Sequence, residues 1–240
     1  MDQKVYKRIE RIARSEKNHW WWFSRREIFT RLIKSLKIKR NSKILDYGTG
    51  VGANIRLLKK FSINRISLYD QNKQLLNKLI KKNNFTTNYN PKTKYDLIVC
   101  TDVFEHIKND KEIFIRLIEK LKKNGYLFIT VPAYQVLYSK KDESLHHLRR
   151  YNKRQLINLI NNKSIVISKI SYFNFFLFIP ISISILLLKI LKIDFIDEVE
   201  KVPNFLINNI FKKIFSFEKY FVNKFSFPFG LSLLAIVKKK

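Results

Sequence analysis

Along the 240-residue chain the apolar positions change period repeatedly, and each change marks an element. Val5, Tyr6, Ile9, Ile12 and Ala13 recur at helical spacing, which predicts an amphipathic helix over residues 3–16. Ile28, Phe29, Leu32, Ile33 and Leu36 predict a second helix. From residue 43 onward short apolar runs alternate with helical stripes. Residues 43–47 and 65–70 read as strands, Leu75, Leu76, Leu79 and Ile80 as a helix, and a weak third strand is expected near 85–89. Residues 95–101 hold a continuous apolar run, Leu97 to Cys100, bounded by polar residues, as in a central parallel strand buried on both faces. Ile113, Phe114, Leu117, Ile118 and Leu121 line a helix stopped by Asn124-Gly125, and residues 126–131 form a fifth strand closed by Pro132. Asn152-Lys153-Arg154-Gln155 resembles a capping box ahead of a helix over 156–160. Ile165 opens a sixth strand, and residues 231–237 read as a seventh. Strands alternating with helices predict βαβ units and a mostly parallel sheet with right-handed crossovers.

The first strand runs into Asp46-Tyr47-Gly48-Thr49-Gly50-Val51-Gly52-Ala53-Asn54, which holds three of the chain's five glycines. Glycines at alternate positions let the backbone turn sharply and approach a ligand closely. A helix continuing through Leu57, Leu58 and Phe61 would present free N–H groups and a partial positive charge to that ligand. The stretch therefore reads as a cofactor site, and two cofactors fit. Gly48-x-Gly50-x-x-Ala53, with Asp70 near the spacing of a ribose-binding acid, satisfies the dinucleotide fingerprint of an NAD(P)-dependent oxidoreductase. S-adenosylmethionine is favoured by Asp46, because a carboxylate two residues ahead of Gly48 repels a pyrophosphate and attracts an ammonium. The Gly48-x-Gly50-x-Gly52 series and the two helical segments before the first strand favour it too.

These residues, with Asp70 and Thr101-Asp102-Val103-Phe104-Glu105-His106-Ile107, resemble the class I S-adenosylmethionine-dependent methyltransferases. Val131-Pro132-Ala133-Tyr134, Ser139, Asp142, and His147-x-Arg149-Arg150-Tyr151 are similar to one small-molecule subgroup, as is the entry from His19-Trp20-Trp21-Trp22-Phe23 to Arg25-Arg26. There are two departures. His146 stands where the subgroup usually has glycine, and no acid follows the third strand, where Asn88 or Tyr89 would have to substitute. The resemblance implies a Rossmann-like seven-stranded sheet of order 3-2-1-4-5-7-6, with the last strand antiparallel. It also implies roles. Asp46 would hold the methionine ammonium, directly or through water; Gly48, Gly50 and Gly52 would form the pocket floor; Asp70 would take the ribose hydroxyls. Asp102 and Val103 would border the adenine or methyl end. His147, then His106, would serve as general base; Arg149, Arg150, Tyr151 and Trp21 would meet the acceptor; no metal is expected. Plainer readings stand beside these: loop-ordering hydrogen bonds for His147, ion pairing for the arginines, a packed helix corner for the Trp cluster.

Composition adjusts the picture. A hydrophobic content of 46% with 14% aromatics excludes a disordered chain. The formal charge of +29 invites a nucleic-acid reading, but 35 of the 48 basic residues are Lys and they are scattered, whereas phosphate recognition favours Arg forks. Attraction to anionic surfaces, membranes included, is the more general expectation. Cys100 is the only cysteine, which suits a reducing compartment, and the polar N-terminus lacks a secretion signal's apolar core, so a cytoplasmic protein is expected. Residues 170–188 carry no charge over a transmembrane length, yet strands before and after them must join one sheet on one side of a bilayer. Lys189, Lys192, Lys212, Lys213 and Lys219 flank the apolar stretch, so a helical insertion lying on a membrane or packing on a second subunit is expected. The division is then a helical lid over 1–40, a cofactor-binding core over 41–172 plus 229–240, and the insertion over 173–228. The expected activity is methyl transfer to a small-molecule or lipid-linked acceptor, with a non-catalytic membrane-associated module as the third possibility.

Overall fold

The computed structural model describes residue 13 and residues 15–62, 65–83, 90–193 and 201–240. The predicted helix over 3–16 and the third strand over 85–89, with Asn88 and Tyr89, lie mostly or wholly outside them.

Among the described residues six strands form one sheet: β1 (Ile44–Tyr47), β2 (Ile66–Tyr69), β3 (Tyr95–Thr101), β4 (Leu121–Pro132), β5 (Ile165–Phe173) and β6 (Ser232–Lys239), in the order β2-β1-β3-β4-β6-β5. The expected order without its third strand is this one. β1 pairs in parallel with β2 and β3, β3 with β4, and β6 runs antiparallel to both β4 and β5. The chain turns to opposite sides of β1 to lay down β2 and β3, so the order reverses at the carboxyl end of β1, where open α/β sheets bind ligands.

Both faces of the sheet are covered. Ile98 and Cys100 of β3 pack with Phe114, Leu117 and Ile118 of α4 (Asp110–Lys120) and with Leu156 and Ile160 of α6 (Lys153–Ile160). Leu97 and Val99, one residue out of step, pack on the other face with Ile28, Phe29, Leu32 and Ile33 of α1 (Trp20–Ser35) and with Leu57, Leu58, Leu76 and Leu79. That period-two division explains why β3 reads as a continuous apolar run from Leu97 to Cys100. Leu57 and Leu58 belong to α2 (Ile55–Leu58), Leu76 and Leu79 to α3 (Lys73–Asn83).

Two boundaries differ from expectation. α4 ends at Lys120, not at Asn124-Gly125, because Leu121 is already extended, buried and paired with Tyr95. Asn124 (φ +64) and Gly125 sit in the irregular start of β4, where a Cβ on Gly125 would press against backbone oxygens of Lys122 and Tyr95 at 3.0 Å. The helix after the glycine turn is a single turn, since Ser62 is already buried and β2 begins at Ile66. One turn is too short to present the macrodipole expected of a longer helix there.

Between β5 and β6 lie α7 (Phe178–Ile190) and α8 (Phe205–Phe217), with the short α5 (Lys140–Ser144) earlier in the chain. No described helix is long and apolar enough to cross a membrane. α8 packs along α1: Asn208, buried, accepts from Trp20 N–H at 2.8 Å and donates to Asn18 O at 2.9 Å, and Trp20 meets Phe211 edge-on at 5.3 Å. At the start of the same segment the buried carboxylate of Glu218 accepts the N–H groups of Asn174, Phe175 and Phe176 at 2.8, 2.6 and 3.2 Å.

Candidate active site

The glycine turn closes on the ends of β1 and β2. Gly48 and Thr49 donate to Tyr69 O at 2.8 and 3.0 Å, and Gly48, Gly50 and Gly52 hold φ of +74, +51 and +84, the left-handed region that glycine tolerates. The three differ in what surrounds them. A Cβ on Gly48 would lie 2.3 Å from Val103 Cγ2, and one on Gly52 would lie 2.8 Å from Ile55 Cδ1. Over Gly50 there is open space, with nothing within 4 Å. Gly50 N–H donates to Asp70 Oδ2 at 2.8 Å, and Asn72 N–H donates to Oδ1 at 2.8 Å. A carboxylate offers about four lone-pair sites, so Asp70 keeps capacity for two hydroxyls. Tyr47 and Tyr69, ring centroids 4.6 Å apart, stack beside this floor.

Asp46 is fully buried. Thr49 Oγ1 donates to its Oδ2 at 2.9 Å and Asn54 Nδ2 to its Oδ1 at 3.0 Å, while Asn54 also donates to Thr101 Oγ1 at 2.9 Å. Burial raises its pKa to about 6 despite these two hydrogen bonds. Asn54 is therefore the strut joining the glycine turn to the ends of β1 and β3, a role no glycine pattern announces.

Asp102, at the carboxyl end of β3, has φ +54 and is held from two sides. Thr130 Oγ1 donates to Oδ1 at 2.9 Å, and Arg25 Nη1 stands 2.9 Å from Oδ2. The Arg25 guanidinium lies over the rings of Trp22 and Phe29 at 5.2 and 5.0 Å. Thus α1 reaches the site through Arg25. Trp21 instead packs against Phe173 and Phe215, on the side of β5 and α8, and Arg26 pairs with Glu16 at 2.6 Å.

The loop over 133–151 is organised by Asp142. Asp142 accepts from Ser139 N–H at 2.9 Å, from Arg150 Nε and Nη2 at 2.9 Å each, and from His147 Nδ1 at 2.8 Å. Burial alone would raise its pKa, but the bonds from His147 and Arg150 outweigh this and hold it well below the usual carboxylate range. An ionised Asp142 fixes the His147 tautomer with its proton on Nδ1, leaving Nε2 as an acceptor. Nε2 points toward Glu105, 4.0 Å from Oε1. Both Glu105 carboxylate oxygens are buried without a hydrogen-bond partner, and burial, then the Asp102 charge, pushes this acid well above its ordinary pKa. His106 meets His147 edge-on at 4.7 Å, and its pKa is lowered by burial and then by His147. Glu105, His106 and His147 each place one potential ligand atom within 4.8 Å of the others, so this cluster has the donors to hold a divalent metal.

Arg149 and Tyr151 are tied into the fold: Arg149 Nη1 lies 3.3 Å from Asp110 Oδ2, and Tyr151 OH donates to the same oxygen at 2.8 Å. Both line a cavity of 330 Å³ beside α4 and α6. His146 takes φ +58, the left-handed region that glycine tolerates and in which a residue with a side chain is strained.

A profile of the methyltransferase domain matches residues 18–166. The chain belongs to the methyltransferase-domain family. That membership favours S-adenosylmethionine over a nicotinamide dinucleotide. A relative, the ubiquinone biosynthesis O-methyltransferase of Rickettsia typhi (strain ATCC VR-144 / Wilmington), is 25% identical over 154 residues, covering 54% of this chain and 61% of its own length. The chain thus spans about three-fifths of that curated relative. Among solved structures, an S-adenosylmethionine-dependent methyltransferase from Clostridium acetobutylicum ATCC 824 superposes with a TM-score of 0.56 at 12% identity, over 89% of this chain and 91% of the other. Coclaurine N-methyltransferase bound to N-methylheliamine and SAH gives 0.51 at 15% identity, over 89% and 72%. At these identities the likeness is one of fold: a Rossmann-like methyltransferase sheet with helices on both faces.

Proposed function

We propose that the chain is an S-adenosylmethionine-dependent methyltransferase acting on a small-molecule acceptor that is amphipathic or lipid-linked, met at the inner face of a membrane. The observation that carries the reading is the open space over Gly50, in a turn that follows β1 and is tied to Asp70 just past β2, in a chain matched over residues 18–166 by the methyltransferase domain. The residues present fit the cofactor. Gly48, Gly50 and Gly52 would floor its site and Asp70 would accept its ribose hydroxyls. Asp46 would favour its ammonium end, through Thr49 and Asn54 rather than by open contact, and Asp102 with Val103 would border the adenine or methyl end. The bound cofactor supplies an activated methyl group on sulfur.

What remains for the protein is alignment of the acceptor and removal of its proton. Holding an acceptor atom at about 3–3.5 Å in line converts an encounter into a fixed geometry. His147 Nε2, with Asp142 behind Nδ1, is the base, worth roughly 10²–10⁴-fold for a hydroxyl acceptor; His106 flanks it. Arg149, Arg150 and Tyr151 shape the acceptor side by holding the 133–151 loop to Asp110 and Asp142.

Calorimetric titration with S-adenosylmethionine and with NADH tests the reading. Binding of the first alone, weakened by Asp70→Ala, is expected; binding of NADH alone overturns it. Cofactor binding with no methyl transfer to any of a panel of hydroxylated aromatic and prenylated acceptors would point to a non-catalytic module.

A further inference from the structure

We infer that the outer faces of α7 and α8 are a docking surface for an anionic lipid bilayer. Ile179, Ile183, Leu187 and Ile190 recur at spacings of four, four and three, and so form one stripe along α7; each is more than half exposed. Phe205 and Leu206, at 79% and 71%, open a second exposed stripe on α8 that runs through Ile210 to Phe217. Phe176, just ahead of α7, meets Phe217 at 5.9 Å, so the two stripes join at one corner. Scattered exposed apolar residues need no account, but two continuous stripes do.

Several features select a bilayer as occupant. From Phe178 to Leu188 the α7 sequence has no charge, and its exposed Ser184 satisfies its own hydroxyl by donating to Pro180 O at 2.9 Å. At 13 residues α7 spans roughly 20 Å, too short to cross a bilayer but suited to lying in its surface. Exposed Lys192, Lys213 and Lys224 border the stripes, and the only acid of the described residues of 173–228, Glu218, is buried. The formal charge of +29 has the same sign. The four acids of 194–200 lie outside the described residues.

The surface is wired to the loop over 133–151. Lys189 Nζ donates to Val136 O at 2.9 Å, and Tyr134 (φ +61) stacks on Tyr172 at 5.3 Å and meets Phe178 at a tilt at 5.4 Å. A bilayer under α7 would therefore deliver an amphipathic acceptor next to Tyr134 and His147; this link rests on the methyltransferase reading, while the docking itself does not.

The test is co-sedimentation with phosphatidylcholine vesicles, with and without phosphatidylglycerol, at low salt. The protein should pellet with phosphatidylglycerol vesicles and weakly with pure phosphatidylcholine. Leu187→Asp with Leu206→Asp, both exposed, should lower partitioning on the order of tenfold or more at an unchanged melting temperature. Lys213→Glu with Lys224→Glu should lose the preference for phosphatidylglycerol. A chain that stays in the supernatant overturns the inference. So does equal pelleting of the parent and the Asp variant, which would mean that charge alone binds. So does a dimer in sedimentation velocity that the Asp variant splits, since a second copy would then cover the face. S-adenosylmethionine calorimetry on the same samples separates failure of docking from failure of the enzymatic reading.

Discussion

Arg25 Nη1 stands 2.9 Å from Asp102 Oδ2, fastening helix α1 to the carboxyl end of β3 at a residue whose backbone is in the left-handed region. Arg25 is buried and Asp102 about one-third exposed, so truncating the arginine strands a partly hydrated carboxylate. Arg25→Ala should cost about 1–3 kcal/mol of stability and weaken S-adenosylmethionine binding more than Arg26→Ala does. Arg25→Lys should rescue only in part, because the flat guanidinium also covers Trp22 and Phe29. Denaturant melts and calorimetry on the three variants check this, and equal affinity in all of them would detach Arg25 from the site.

The glycine turn makes a sharper separation. Gly48→Ala drives a methyl group into Val103 and should destabilise the fold by about 1–3 kcal/mol, with partial rescue by Val103→Ala. Gly50→Ala meets no atom, so it should keep most of the stability, losing about 1–2 kcal/mol to its positive φ, yet lose cofactor affinity. Melting curves should therefore show Gly48→Ala as the less stable of the two, while cofactor titration should show Gly50→Ala losing affinity at a stability near the parent's; unchanged affinity in Gly50→Ala would contradict a ligand seated over Gly50.

His147 divides chemistry from architecture. As a base oriented by Asp142 it predicts that His147→Ala lowers kcat roughly 10²-fold or more with little change in cofactor affinity. If it only orders the loop, the variant should lose stability while kcat at low temperature is kept. Single-turnover methyl transfer measured beside a thermal melt distinguishes the two.

Much of this architecture was legible because periodicity and spacing carry it. The unbroken run from Leu97 to Cys100 shows a doubly buried strand, and Asn152 with Gln155 forms the reciprocal capping box its spacing promised, each bond 2.8 Å long. What escaped were partnerships between residues far apart in sequence. Arg25 with Asp102, Asn54 with Thr101 and Asn208 with Trp20 leave no local period to read. The one-turn α2 escaped for another reason: its apolar spacing is helical, but the distance to β2 leaves no room for a longer helix. Arg150 was legible as a candidate only by type; its fork is spent on Asp142, which a sequence cannot show.

His146 carries a glycine's backbone without being glycine. With φ at +58, His146→Gly should relieve strain and stabilise the protein by about 1 kcal/mol, less the extra freedom it gives the unfolded chain. His146→Val should destabilise it by more, as a β-branched side chain tolerates that region worst. The contact of His106 Nδ1 with His146 O is to the backbone and survives both changes. Chemical denaturation of the pair gives the sign directly, and a stabilising Val would refute the assignment of strain.

Glu218 makes stability fall as pH rises. Burial lifts its pKa to about 7 from an ordinary 4.5, even though the N–H groups of Asn174, Phe175 and Phe176 favour the charged form. Because the folded value lies above the unfolded one, the folded state binds the proton more tightly. The stability so gained is complete below about 4.5 and lost as pH rises through about 7, on the order of 3 kcal/mol. Asp46, raised to about 6, acts with the same sign. Asp142 acts with the opposite sign, but its pKa is depressed, so its contribution is lost only in stronger acid. Urea denaturation at about pH 5 and about pH 8 should show the greater stability at the lower pH, and Glu218→Gln should reduce the difference, leaving the part that Asp46 and Glu105 contribute with the same sign. The same variant should loosen the turn that starts α7, since the side-chain amide presents an N–H where Asn174 or Phe175 needs an acceptor. A pH slope unchanged by Glu218→Gln would place the titrating group elsewhere.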